Sequence, residues 1–388
     1  MRELLEFEQK LIDSIKRLLD GRLPKTLGAA VSGGADSVSL LCALARARDF
    51  WKDCGKKDFP KIVCVTVDHS IRPEAESSGD AAFVQDLCKN LNVPCCVKKI
   101  ERGLVESLAA ERGKGLEDAA RLLRYQKFED FAKESGADFV CLAHNQNDAL
   151  ETLLMRFLQG SSGQAAAGIA AKRGIYLRPL LETSRPQIEE YLQTINMDWR
   201  TDSTNSDNSY FRNKVRNLLA PFLDQNFDGW KKALLSGGEK AYFESEALDG
   251  FLDQALLQNQ DCSQEHNSGG QNQDCSQEQE GAVLEIPRAF FEGLPIALRQ
   301  RFLYRSFDKM RLEERVPYSF VRALSFWPQK DFKNAAAAGL EAVSKKDKVF
   351  LKKSKKEATE SGFFDIIVGK EGAAKTFVER TRAVGDKI

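Results

Sequence analysis

The chain has 388 residues, enough for two or three domains, and 42% of them are hydrophobic, which supplies a substantial core. Lys and Arg together number 57, as do Asp and Glu, so the formal charge is zero. That balance excludes a chain that grips a polyanion through its overall charge and leaves the task to local basic surfaces.

The opening MRELLEFEQKLIDSIKRLLD carries charges at helical spacing and lacks the apolar core of a signal peptide. No later apolar run reaches membrane length, so a cytoplasmic protein is expected. From Thr26 to about Leu180, the β-rich runs TLGAAVS, IVCVTVD, VPCCVKKI and ADFVCLAH alternate with amphipathic or alanine-rich stretches. This alternation predicts an α/β domain, a parallel sheet covered by helices, with functional residues just after the carboxyl ends of the strands.

Beyond Pro221 the strand signal fades, and Leu234 to Gln258 and Pro287 to Leu324 read as helices. The expected division is a catalytic domain over 1–222, a helical domain over 223–328 and a small C-terminal region over 329–388. A polar insertion near 259–281 interrupts the second. There Asn259-Gln260-Asp261-Cys262-Ser263-Gln264-Glu265 recurs as Asn272 through Glu278, with too few apolar residues to offset the entropy of ordering. The run Lys348-Val349-Phe350-Leu351 beside a lysine cluster predicts a hairpin. None of the nine cysteines forms a C-x-x-C pair, and most lie inside apolar runs, so they read as reduced structural thiols without a zinc site.

The segment Ser32-Gly33-Gly34-Ala35-Asp36-Ser37 stands between a predicted strand and a predicted helix. Adjacent glycines allow a tight turn that aims several N–H groups at one spot, and the helix N-terminus favours an anion there. No lysine follows the glycines, so the γ-phosphate-cleaving loop of nucleotide hydrolases is excluded. Taken alone, the segment is also compatible with an ordinary turn capped by Asp36 or Ser37. The six residues resemble the pyrophosphate-binding loop of the ATP pyrophosphatases, which cleave ATP between the α and β phosphates and transfer AMP.

Further segments narrow the resemblance. Asp68-His69-Ser70-Ile71-Arg72-Pro73 follows the second strand, and Glu117-Asp118-Ala119-Ala120-Arg121-Leu122-Leu123-Arg124-Tyr125 sets two guanidiniums on one helical face, which suits phosphate or carboxylate. His144-Asn145-Gln146-Asn147-Asp148-Ala149-Leu150-Glu151-Thr152 follows the fourth strand and spaces an imidazole and two carboxylates at helical intervals. Arg178-Pro179-Leu180-Leu181, Asp202-Ser203-Thr204-Asn205 and Arg212-Asn213-Lys214-Val215-Arg216 complete the set. Together, over about Thr26 to Pro221, they resemble the tRNA(Ile)-lysidine synthase family. One departure is that Asn147 stands where the family's pattern has the first of two aspartates.

The resemblance implies ATP and Mg²⁺, with Ser32, Gly33, Gly34, Ala35, Asp36, Ser37 and His69 on the nucleotide and Asp36 and Asp148 as metal ligands. It further implies Asp36, His144, Asp148 and Glu151 as catalytic residues, and Arg121, Arg124, Arg212 and Arg216 on the substrate. The implied reaction adenylates the wobble cytidine of CAU-anticodon tRNA(Ile) at its C2 oxygen and then joins lysine to C2. Lysine must lose a proton to attack, which suggests Asp148 or His144 as the base. Arg299, Arg301, Arg305, Arg311, Arg315 and Arg322 offer a basic surface for the tRNA. Alternatives are a tRNA thiolase of the same superfamily, an ATP-dependent small-molecule amide synthetase and a non-catalytic nucleotide-sensing RNA-binding protein.

Overall fold

A computed structural model describes residues 3–56, 58–68, 74–113, 115–161, 163–200, 211–264, 283–310, 312, 316–326, 335–337, 340–345 and 348–353. His69, the segment Asp202 to Asn205, Arg311 and Arg315 lie outside these residues. The chain forms two compact units, Met1–Phe243 and Glu244–Ile388.

The first unit opens with helix α1 (Glu6–Leu18) and then alternates strands and helices: β1 (Thr26–Ala30), α2 (Ala35–Asp53), β2 (Lys61–Asp68), α3 (Glu74–Asn90), β3 (Cys95–Lys99), α4 (Leu104–Arg112), α5 (Leu116–Ser135), β4 (Phe139–Cys141) and α6 (Gln146–Leu158). Two short strands, β5 (Lys172–Arg173) and β6 (Tyr176–Leu177), and helix α7 (Arg185–Thr194) follow. The sheet order is β3-β2-β1-β4-β6-β5, with β5 running antiparallel at one edge and the other pairings parallel. The parallel α/β domain expected from the alternation is therefore present. Connections leave β1 towards β2 and return at β4 on its other side, so a crevice opens between the loops that follow β1 and β4.

Both faces of the sheet are covered. On one, Leu11, Ile12 and Ile15 of α1, Leu40, Leu41 and Leu44 of α2 and Ile188 and Leu192 of α7 form a continuous buried cluster. On the other, Phe128 and Phe131 of α5 pack against Val63, Val65 and Val140. Gly28 is required by this second contact: a Cβ there would lie 2.9 Å from Phe131 Cε1, so the absence of a side chain lets α5 approach β1.

A helical stretch, α8 (Phe211–Lys214), a π-helical turn over Val215–Leu219 and α9 (Ala220–Asn226), precedes the long helix α10 (Trp230–Gln264). Helix α10 thus runs into the segment expected to be a polar insertion, of which residues 265–281 lie outside the described set.

In the second unit, β7 (Val283–Pro287), α11 (Arg288–Gly293), α12 (Ile296–Lys309), α13 (Tyr318–Ser325), β8 (Ala335–Ala337), β9 (Leu340–Lys345) and β10 (Lys348–Lys353) complete the order. The antiparallel sheet β7-β10-β9-β8 contains the hairpin expected at Lys348. Ile286, Phe291, Leu303, Phe307, Phe320 and Leu324 share one core with Leu340, Ala342 and Leu351, so a single core crosses the boundary expected at 328/329. The sequence reading missed β7 because its partner β10 is about 60 residues away in sequence, and pairing at that range leaves no local signature.

Candidate active site

The loop after β1 turns at Gly33, whose φ of +88° belongs to the left-handed region. Ser37 Oγ accepts from the Ser32 amide at 3.1 Å and donates to the Gly34 carbonyl at 3.0 Å, tying the loop to the first turn of α2. The Gly33 carbonyl accepts from the Arg200 amide at 3.0 Å, which fixes the outer side of the loop. Such a loop at a helix N-terminus has the geometry and field of an anion cradle.

Asp36 stands on the first turn of α2, facing the loop after β4. Its Oδ1 accepts from Asn145 Nδ2 at 2.9 Å and its Oδ2 from Arg185 Nη1 at 3.0 Å. Burial raises its pKa, opposed by the Arg185 guanidinium and the Asn145 hydrogen bond. Asn145 also caps α6: its Oδ1 accepts from the Asp148 amide, and Asp148 Oδ2 accepts from the Asn145 amide, both at 3.0 Å. One asparagine therefore links the starts of α2 and α6 across the crevice.

Asp148 and Glu151 are bound by two arginines from the stretch after residue 210. Arg212 donates to Asp148 Oδ1 at 2.6 Å and to Glu151 Oε2 at 2.8 Å, and Arg216 donates to Glu151 Oε1 and Oε2 at 2.6 and 3.0 Å. Arg216 lies within the π-helical turn, a local widening that often accompanies functional sites. Glu151 is only 5% exposed, so its paired and bidentate partners satisfy a charge that would otherwise be costly to bury.

His144 precedes α6 instead of lying on it, so the helical spacing that groups it with Asp148 and Glu151 in the sequence does not hold for the imidazole. Its Nδ1 accepts from Arg178 Nε at 3.2 Å. Arg178, 4% exposed, also donates to the Ala170 carbonyl at 2.8 Å and to Tyr125 Oη at 3.3 Å. Burial and the nearby charges of Arg178, Arg121, Arg212 and Arg124 push the His144 pKa down to about 3. The ring is neutral at neutral pH and, because Nδ1 accepts from Arg178, carries its proton on Nε2 and has its one lone pair already engaged. This disfavours His144 as the base that deprotonates an amine.

The depressed His144 pKa gives a signed expectation. The unfolded chain takes up this proton near the ordinary value of 6.5, whereas the folded chain does so only near 3, so the stabilisation is complete above 6.5 and lost as pH falls through that window. His144→Gln removes that contribution, and its melting temperature is expected to fall less than the parent's between about pH 7 and pH 4.5.

Arg121 and Arg124 project from α5 and are exposed, and the Arg121 guanidinium lies 5.2 Å from the Tyr125 ring centroid. Asn147, also exposed, turns its Oδ1 to the amide of Arg185, at 3.2 Å, and so ties α6 to the start of α7. An aspartate would accept the same bond. Asn147→Asp is expected to keep the fold's stability, whereas Asn147→Ala costs about 1 kcal/mol by leaving that amide without its acceptor, as thermal melts would read.

The structure thus gathers Ser32, Gly33, Gly34, Ala35, Asp36, Ser37, Asp148, Glu151, Arg212 and Arg216 around one crevice, with Arg121 and Arg124 near enough to His144 to disfavour its protonation. Sequence reasoning missed Asn145, Arg178, Arg185 and Arg200 as parts of the site. Arg178 and Asn145 lie inside segments already singled out. The only available signals for Arg185 and Arg200 were long-range contacts. Among the described residues no helix is long and apolar enough to cross a membrane.

The PP-loop domain family matches residues 7–223. The chain is 38% identical to a tRNA(Ile)-lysidine synthase of Treponema denticola over 89% of this chain and 70% of that protein. It is 38% identical to the enzyme of Treponema pallidum subsp. pallidum over 78% of this chain and 60% of that protein, and 36% identical to that of Clostridium perfringens over 57% and 45%. The chain therefore spans between about half and 70% of the length of these relatives. With its loop, its crevice and a match that covers more than half of its residues, the chain belongs to the tRNA(Ile)-lysidine synthase family of PP-loop proteins.

Proposed function

We propose that the chain uses ATP to adenylate the C2 oxygen of the wobble cytidine in CAU-anticodon tRNA(Ile), then joins the side-chain amine of lysine to C2, releasing pyrophosphate and AMP. The observation that carries this reading is the Asp36–Asn145–Asp148 link, which joins an anion-binding loop to an acidic, arginine-bordered crevice. A C2 oxygen is a poor leaving group until it carries AMP, so nucleotide and base must meet at one place. The loop residues Ser32, Gly33, Gly34, Ala35 and Ser37 would hold the pyrophosphate, with Asp36 at its edge. The cations of Arg121, Arg124 and Arg178 suit phosphate or the lysine carboxylate. With the His144 lone pair engaged by Arg178 and its basicity lowered, the carboxylates Asp148 and Glu151 are the groups to orient the lysine ammonium and take up its proton.

Asp36 and Asp148 offer hard oxygen donors, and a carboxylate that already accepts one or two hydrogen bonds keeps further lone pairs. This donor set fits Mg²⁺, which favours few carboxylates with phosphate and water. When bound there, Mg²⁺ would supply charge neutralisation for the departing pyrophosphate.

The tRNA surface expected on the second unit needs revision. Arg301, whose side chain is 11% exposed, pairs with Asp249 and donates to Ser245, Arg305 pairs with Asp253 at 2.7 Å, and Arg299 donates to the Leu294 and Ser325 carbonyls. These arginines hold the unit together. Arg301→Ala is expected to lower its unfolding free energy by about 2 kcal/mol while leaving the salt dependence of tRNA binding in place. Exposed Phe222, Phe227, Tyr242 and Phe243, with Lys232 and Lys240 on the same stretch, provide stacking and charge for a nucleic acid instead.

The test incubates the purified chain with ATP, Mg²⁺, labelled lysine and unmodified CAU-anticodon tRNA(Ile). Base-stable, ATP-dependent label on the RNA supports the proposal. AMP without RNA label points to another nucleophile, and the absence of AMP with this tRNA counts against adenylation of it.

A further inference from the structure

In the sequence the cysteines read as scattered structural thiols, but three of them converge in the fold. Cys64 of β2, Cys88 of α3 and Cys95 of β3 place their sulfurs within 4.8 Å of one another. They come from three different elements, and Cys64 and Cys95 are direct partners in the parallel register of β2 and β3. Cys42 and Cys141 are equally buried in the same core but do not belong to the group. Burial of small apolar side chains therefore does not by itself explain the convergence.

We propose that Cys64, Cys88 and Cys95 form a site for a thiophilic d¹⁰ cation of the Zn²⁺ class. In a tetrahedral site with metal–sulfur bonds of about 2.3 Å, the sulfurs stand about 3.8 Å apart, which the group reaches by side-chain rotation without a change of fold. The donor set is soft and contains no carboxylate or imidazole, so it discriminates against Mg²⁺ and Ca²⁺. Cys64 and Cys88 are buried, whereas Cys95 is half-buried and gives the group its route to solvent. Binding releases the thiol protons and forms one metal–sulfur bond at each cysteine, with no change of oxidation state.

The site is separate from the crevice. Cys64 is level with Ala29 in the sheet, before β1 reaches the Ser32 loop, Cys95 is the first residue of β3 and Cys88 lies in the last turn of α3, so the group sits away from the carboxyl ends of the strands where the crevice opens. The bound ion would pin α3 to β2 and β3. Helix α3 also sets Phe83 and Val84 beside Gly33 and pairs Asp80 with Arg200 at 2.8 Å. Pinning it would steady the outer wall of the anion loop without a residue of the site touching nucleotide.

The experiment titrates the reduced, metal-free full chain with Cd²⁺, reading the thiolate-to-metal charge-transfer absorbance, and with Zn²⁺ in competition with a chromogenic chelator. The parent, Cys95→Ser and Cys96→Ser are compared; Cys96 neighbours Cys95 on the strand but packs on the opposite face of the sheet. The expected result is one equivalent of either ion bound by the parent and by Cys96→Ser. Cys95→Ser should bind at least about 100-fold more weakly, beyond the usual cost of an outer-shell change. A rise in melting temperature on adding Zn²⁺ should occur in the first two proteins and vanish in Cys95→Ser, whose metal-free melt verifies that it folds. Equal binding by all three proteins would overturn the proposal by placing the ion elsewhere. Absence of binding by the reduced parent would overturn it directly, as would a disulfide among these three cysteines in protein isolated under non-reducing conditions.

Discussion

Asp36→Asn is expected to reduce ATP-dependent pyrophosphate release by about 10²–10³-fold while leaving the affinity for ATP almost unchanged. The two quantities separate because different groups serve them. The proposed grip on phosphate would come from the loop backbone and from Ser32 and Ser37, whose mutual contacts do not involve the Asp36 side chain. The Asp36 carboxylate instead faces Asn145 and Arg185 across the crevice, where burial raises its pKa and these two partners oppose that shift. Asparagine keeps the size and one acceptor but removes the charge that would steady Mg²⁺ and offset Arg185. Pyrophosphate release from the parent and the variant, with nucleotide affinity measured separately, decides the matter. A rate within about threefold of the parent would show that Asp36 is only a structural tie between α2, α6 and α7.

The second large effect concerns stability. Glu8 is 1% exposed on α1, where it pairs with Arg46 of α2, accepts from Tyr191 Oη of α7 at 3.1 Å and returns a carboxylate oxygen to the Leu5 amide at 2.9 Å. The Phe7 and Tyr191 rings stack beside it, centroids 4.1 Å apart. One carboxylate therefore joins three helices on the same face of the sheet. Glu8→Ala leaves the largely buried Arg46 cation without this partner, and the expected loss is about 3–5 kcal/mol in chemical denaturation. The double variant Glu8→Leu/Arg46→Leu is expected to recover most of that loss, because it removes both charges instead of stranding one. If the double variant were no more stable than Glu8→Ala, disrupted packing around α1, and not the stranded charge, would account for the loss.

Within the site, legibility followed the length scale of each interaction. The Ser32-to-Ser37 loop was readable because its requirements are local: a strand, two glycines and a helix start within a few residues. Asp148 and Glu151 were readable for the same reason, being one helical turn apart on α6. The chemistry of His144 depends on Arg178, 34 residues away, and on arginines from other elements, which together lower its pKa. No periodicity in the sequence encodes that neighbourhood. Arg301 shows the same limit in reverse, since a basic helix looks like a nucleic-acid surface until Asp249, 52 residues earlier, is found beside it.

By itself the sequence determined the alternation of strands and helices, the anion loop and the family resemblance, since hydrophobic periodicity and short motifs are properties of contiguous residues. Only the tertiary structure decided which charges meet. It paired Asp36 with Arg185, closed Arg212 and Arg216 on Glu151, and brought Cys64, Cys88 and Cys95 to one point. Those contacts depend on strand order and helix placement, which set distances between residues far apart in the chain, and at close range those distances govern the strength of charge pairing and the coordination of a metal.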